Sequence, residues 1–106
     1  MLYDLRVYEH AEGRGDDVRR RFEAEVAPRF ALHGIELVGA FMDADTGMLT
    51  YLTRFLDEAA REKAWQSFGE DGDWKAAKER SEVNGPLIVK QRKSLLHPIM
   101  DGLPIS

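Results

Sequence analysis

One stretch with the two-residue period of a β-strand and three further strand-like runs, interleaved with two regions of helical spacing, predict an α+β domain of the ferredoxin-like kind, ordered β-α-β-β-α-β. Three features carry this reading. Tyr3, Leu5 and Val7 alternate with Asp4, Arg6 and Tyr8; two strand-rich runs flank Asp43-Ala44-Asp45-Thr46-Gly47; and helical spacing occurs on both sides of that pair. The 106 residues suit one domain, 1–106, with a modest core.

The first strand ends where Glu12-Gly13-Arg14-Gly15-Asp16 breaks the alternation. Asp16 or Asp17 is then placed to cap a helix whose apolar residues Val18, Phe22, Val26 and Phe30 recur every four positions. Pro28 lies inside it, where a missing N–H predicts a kink or a restart. Gly34, after His33, suits the left-handed position that closes a helix. Ile35 to Met42 and Met48 to Phe55 read as a hairpin, rich in Val, Ile, Phe, Tyr and Thr. Asp57 caps a helix running through Phe68, Glu70-Asp71-Gly72 interrupts it, and Asp73 is the expected cap of a second segment to about Glu82. Leu87 to Leu96 is the last strand, basic as edge strands often are. Beyond His97-Pro98, the apolar Ile99, Met100, Leu103 and Ile105 suggest a tail that docks on a partner subunit.

Composition narrows the function classes. Apolar residues make up 43% and charged residues 32%, the mixture of a folded soluble chain, and no run is long enough to span a membrane. The opening residues read as a strand rather than a signal peptide, so a cytoplasmic location is expected. Without cysteine there is no disulfide, thiolate metal site or cysteine nucleophile, and no His/Asp/Glu spacing suggests a metal. A net charge of −4 with interspersed signs offers no footprint for nucleic acid. Arg19-Arg20-Arg21, set among Asp16, Asp17, Glu23 and Glu25, reads as a solvated face. The glycines near Gly13 lack a phosphate-loop pattern and read as a turn.

Tyr3-Asp4-Leu5-Arg6-Val7-Tyr8 resembles the opening strand of the NIPSNAP family: an aromatic, an acid, Leu, Arg, any residue, then Tyr. His33-Gly34, Val38-Gly39, Leu52-Thr53-Arg54-Phe55, the charged helix from Asp57 and Asp73-Trp74 follow in the family's order, up to His97-Pro98. The sequence departs from the family at Thr53, often Trp, and at Phe55, often Tyr. The resemblance implies a dimeric α+β barrel in which two such sheets close around a cavity. Family members are largely of unassigned function, and the animal ones are mitochondrial proteins linked to organelle trafficking and quality control. The wider barrel superfamily includes cofactor-free monooxygenases, haem-degrading enzymes and isomerases or lyases of small organic acids, so fold alone leaves activity open.

Placing Met42 opposite Met48 puts Ala40 across from Thr50, Val38 from Leu52 and Glu36 from Arg54. With Tyr3, Leu5 and Val7 on that mostly apolar face, the helices are expected to cover it. Asp4, Arg6 and Tyr8 then join Tyr51, Thr53 and Phe55 on a face left for the partner's sheet, with Gly39 beside Tyr51 leaving room for a ligand. Arg6 offers a planar fork to a carboxylate, unless Asp4 or a glutamate takes it as an internal pair. Tyr8 and Tyr51 can donate to a ligand oxygen or simply fill the barrel. His33 is the candidate general base, although a cation in a last helical turn also serves the helix. Glu36 and Arg54 are expected to pair across the strands, and Trp65, Phe68 and Trp74 to pack in the core or dimer.

The candidate catalytic residues are thus Arg6, Tyr8 and His33, and the ligand contacts Arg6, Tyr8, Tyr51, Gly39 and Thr53. The expected function is binding of a small acidic or phenolic metabolite in the dimer cavity, with or without cofactor-independent catalysis. The alternative is a non-catalytic dimeric interaction or structural protein. A homodimer is expected, and no cofactor, nucleic-acid or membrane partner.

Overall fold

The structure, a computed structural model, describes residues 1–100. β1 (Leu2–His10), β2 (Glu36–Met42), β3 (Leu49–Phe55) and β4 (Ile88–Leu96) form one antiparallel sheet in the order β2-β3-β1-β4. α1 (Gly15–Arg21), a π turn (Phe22–Val26), α2 (Ala27–Phe30) and a 3-10 turn (Ala31–His33) join β1 to β2, and α3 (Glu58–Gly69) and α4 (Gly72–Ser81) join β3 to β4. This is the ferredoxin-like order predicted, with the second helical region split in two. Of the expected tail, Ile99 and Met100 are exposed, while Leu103 and Ile105 lie outside the described residues.

Local chemistry explains where these elements start and bend. α1 begins at Gly15, ahead of both expected caps, so Asp16 and Asp17 sit within its first turn, where carboxylates favour the positive helix end. The break expected at Pro28 is absorbed upstream: the Ala27 N–H donates to the Phe22 carbonyl five residues back, and Pro28 enters the first turn of α2. Asp57 caps α3 by accepting from the Ala60 N–H at 2.8 Å. Asp71, not Asp73, caps α4, accepting from the Trp74 N–H at 2.9 Å, because the helix starts one residue before Asp73.

The hairpin register differs from the expected one by a residue near its turn. Asp43 accepts from the Asp45 and Thr46 amides and donates its own N–H to Met48 O, which draws Met48 into the turn and sets Met42 opposite Leu49. An irregularity at Val38 then restores the Glu36–Arg54 pairing, and those two side chains form the expected ion pair. The slip also moves Gly39. It faces Leu52, away from Tyr51, whose neighbour is Ala40.

The largest correction concerns which face the helices cover. Leu2, Asp4, Arg6 and Tyr8 line up with Phe55, Thr53, Tyr51 and Leu49, and it is this set that lies beneath the helices. The core packs Phe55, Tyr51 and Leu49 against Val18, Phe22, Phe30 and Phe68. Tyr3, Leu5, Val7 and Leu52 occupy the uncovered face and remain half-buried. The polar set can be covered because α3 brings donors to it: Arg61 and Trp65, one helical turn apart, both reach the Asp4 carboxylate.

Candidate functional site

Asp4 is completely buried and accepts four hydrogen bonds. Arg6 grips it through Nε and Nη2, both at 3.1 Å, in a two-pronged pair. Arg61 Nε adds a bond at 2.9 Å and the Trp65 indole another at 3.1 Å. Burial acts to raise the Asp4 pKa, but the bonds and charges of Arg6 and Arg61 more than reverse this and hold it below the ordinary carboxylate value. The same pair raises the Arg6 pKa against the opposing effect of burial, so the guanidinium stays charged.

The Arg6 guanidinium also stacks on Trp65, its Cζ 3.8 Å from the ring centroid. Its third nitrogen, Nη1, makes no direct hydrogen bond among the described residues, although the neighbouring Tyr8 hydroxyl adds to the raised Arg6 pKa. Among those residues the one sealed side-chain nitrogen or oxygen lacking a partner is Nε of Arg54. Nη1 of Arg6 is therefore not sealed in the core, and Arg6 is one of the residues lining a cavity.

That cavity, of about 360 Å³, lies between the sheet and the helices. It falls in the size range of small-molecule sites, at its lower end. Its floor is Arg6, Tyr8, Leu49, Tyr51 and Gln91 from the sheet. The π turn contributes Phe22 and Val26, so the residues displaced by the Pro28 accommodation are also cavity walls. α3 and α4 supply Trp65, Phe68, Trp74 and Lys78, with the Phe68 and Trp74 ring centroids 5.5 Å apart. Arg21 and Glu82 close one side with a 2.8 Å ion pair, the Arg21 guanidinium 5.3 Å from the Trp74 ring centroid.

Tyr8 and Tyr51 meet hydroxyl to hydroxyl at 2.7 Å, their rings perpendicular. Tyr51 is 1% exposed, and burial, followed by the nearby Tyr8, raises its pKa well above the ordinary phenol value. It remains a neutral phenol at any physiological pH.

The structure thus brings together Arg6, Tyr8 and Tyr51 from the candidates read in the sequence, but under the helices of a single subunit instead of against a partner's sheet. Thr53 is fully buried, donates its hydroxyl to Asp4 O at 3.3 Å and does not reach the cavity. Gly39 is on the opposite face. His33 stands apart, its Nδ1 2.6 Å from Ser67 Oγ and its Nε2 2.7 Å from Asp71 Oδ2. It ties the 3-10 turn to the α3–α4 junction.

Arg21 and Glu82 were not among the site residues read in the sequence, and Trp65, Phe68 and Trp74, expected in core or dimer packing, also wall the cavity. Arg21, taken with its neighbours as a solvated face, is 8% exposed because it points inward to Glu82 and Ser81. The signal available was Arg61 and Trp65 at four-residue spacing, two donors on one helix face that call for a buried acceptor.

Among known structures, the chain is similar to an uncharacterised NIPSNAP domain protein from Burkholderia xenovorans, with TM-score 0.82 and 17% identity over 98% of this chain and 100% of that one. A NIPSNAP family protein from Agrobacterium tumefaciens gives TM-score 0.83 and 20% identity over 99% of this chain and 98% of that one. A Bacteroides thetaiotaomicron protein provisionally named an antibiotic biosynthesis monooxygenase shares the fold at TM-score 0.71 and 18% identity, over 99% of this chain and 95% of that one. No curated protein matches the chain. The NIPSNAP family profile matches residues 3–101, nearly the whole sequence and every element described above, and the chain belongs to the NIPSNAP family.

Proposed function

We propose that this NIPSNAP protein binds a small acidic or phenolic metabolite in the cavity between its sheet and its helices, and that it works as a homodimer. The observation that carries the first part is the unused edge of Arg6, a permanent cation on the floor of an aromatic-walled cavity. Charge counting supports an anion. Asp4 answers Arg6, Glu58 answers Arg61 beside it, Glu82 answers Arg21, and Lys78 has no ion pair among the described residues. A ligand acid on Arg6 would also lie close to Tyr8. Those two groups can anchor a carboxylate and stabilise a developing enolate without a cofactor, which is the form catalysis would take here.

The homodimer reading rests on the uncovered sheet face. Tyr3, Leu5, Val7 and Leu52 lie there, with Phe41 64% and Leu96 41% exposed. These apolar residues form a strip flanked by Thr50, Arg54, Arg92 and Ser94 on the same face, and the matching face of another copy would cover it. The same face favours the second reading, a non-catalytic protein whose purpose is its interface.

Thermal unfolding separates the two. Small organic acids, phenols, alcohols and amines are added one at a time; a compound that binds only the folded state raises Tm by mass action. The binding reading expects acids or phenols to raise the Tm of the wild type and to do so much less for Tyr8→Phe. No rise with any class would leave the interface reading standing alone. For the dimer, light scattering after size exclusion should give the wild type twice the chain mass, and Leu5→Glu the single mass, since a charge at the centre of the face opposes its burial. A wild type that runs as a monomer would contradict the homodimer.

A further inference from the structure

The direction of one hydrogen bond narrows the ligand class, an inference that rests on the binding reading above. Tyr51 Oη is in the core, and among the described residues its one hydrogen-bond partner is Tyr8 Oη. A buried hydroxyl that spends its proton nowhere is costly. Were Tyr51 to accept from Tyr8, its own proton would have no acceptor; by donating to Tyr8 it is satisfied. Tyr8, only half-buried and lining the cavity, is then an acceptor toward Tyr51, and its own proton is left for whatever occupies the cavity. Nη1 of Arg6, the neighbouring floor group, also carries only protons. Arg6 and Tyr8, two positions apart on the same strand face, thus offer two donors side by side, and Gln91, paired with Tyr8, adds an amide that can turn either its N–H or its oxygen toward a ligand.

We propose that the cavity selects an aromatic carboxylate, its anion received by Nη1 of Arg6 and Oη of Tyr8 and its ring by Trp65, Phe68 and Trp74. A carboxylate at neutral pH is acceptor-only and negative, and it matches both floor groups at once. An alcohol or phenol carries a proton of its own and no full charge, and an ammonium has no lone pair to offer. The ring follows from the walls: Phe22, Trp65, Phe68 and Trp74 are aromatic, with one face of Trp65 already held by Arg6, and a flat ring fills a space between such side chains better than a flexible chain does.

The chain has two tryptophans, Trp65 and Trp74, and both line the cavity. Their indole N–H resonances in a proton–nitrogen NMR spectrum report occupancy directly. Titration with benzoate should shift both and saturate, while benzyl alcohol, benzylamine and cyclohexanecarboxylate at equal concentration shift them far less. Tyr8→Phe, checked for an otherwise unchanged spectrum, should bind benzoate about tenfold or more weakly, the loss expected for one hydrogen bond to a charged group. Equal shifts with benzyl alcohol would overturn the carboxylate class and leave the binding reading in place. Equal shifts with cyclohexanecarboxylate would overturn the ring requirement, and unchanged benzoate affinity in Tyr8→Phe the role of Tyr8. No response to any of the four would overturn the class together with the cavity reading.

Discussion

Asp4→Asn is expected to cost about 3–5 kcal/mol of folding stability, the scale for removing one partner of a buried ion pair, and to lower Tm by more than about 10 °C. Asp4 is fully buried and receives four N–H bonds, three of them on Oδ2. The substitution keeps the shape but removes the charge, and it places either an amide N–H against donors or, flipped, the same conflict on the other oxygen. Arg6 and Arg61 then share a pocket without their anion. Thermal and denaturant unfolding of the two proteins measures the loss directly, and a change under about 1 kcal/mol would contradict the network described.

The pH dependence of the same site has a definite sign. The folded Asp4 pKa lies below its unfolded value near 3.8, so the unfolded state binds the extra proton first. The stability Asp4 contributes is therefore present above about pH 4 and is lost as pH falls through the folded value. Wild-type stability should drop over that acid range more steeply than that of Asp4→Asn, which has no carboxyl to protonate there.

Phe30→Ala should destabilise on the same scale, about 3–5 kcal/mol for emptying a large aromatic site in a core. Phe30 is 1% exposed, and its ring centroid lies 5.5–5.9 Å from those of Phe22, Tyr51, Trp65 and Phe68. All four of those rings line the cavity, so Phe30 is the support behind both its sheet wall and its helix wall. Partial collapse into the vacated space should alter the near-ultraviolet signal of Trp65 as well as Tm. A variant as stable as wild type would place the aromatic core elsewhere.

The order of elements was legible because it depends on local patterning: the alternation in β1, the paired strands around Asp43, the cap at Asp57. The Glu36–Arg54 pair was legible too, though for a partly wrong reason, since the residue lost at the turn is regained at Val38. Alternation reports which residues share a face, so Asp4, Arg6, Tyr8, Tyr51 and Thr53 were grouped correctly. It does not report which face the helices choose. Apolarity pointed to the Leu5 side, whereas the side chains of α3 satisfy charge on the Asp4 side, a choice that depends on tertiary contacts between residues 57 and 61 positions apart. The same long-range dependence hid Arg21 and the two tryptophans as cavity walls. His33 was misleading for a related reason: its place at a helix end is clear in sequence, but its partners Ser67 and Asp71 come from the other helical region.

The most direct test of the central claim is a crystal structure of the protein purified from its producing cells without added ligand. Density in the cavity, within hydrogen-bonding distance of Nη1 of Arg6 and Oη of Tyr8, is the predicted result. A cavity closed by the chain's own side chains, with Nη1 bonded to a protein acceptor, would contradict it.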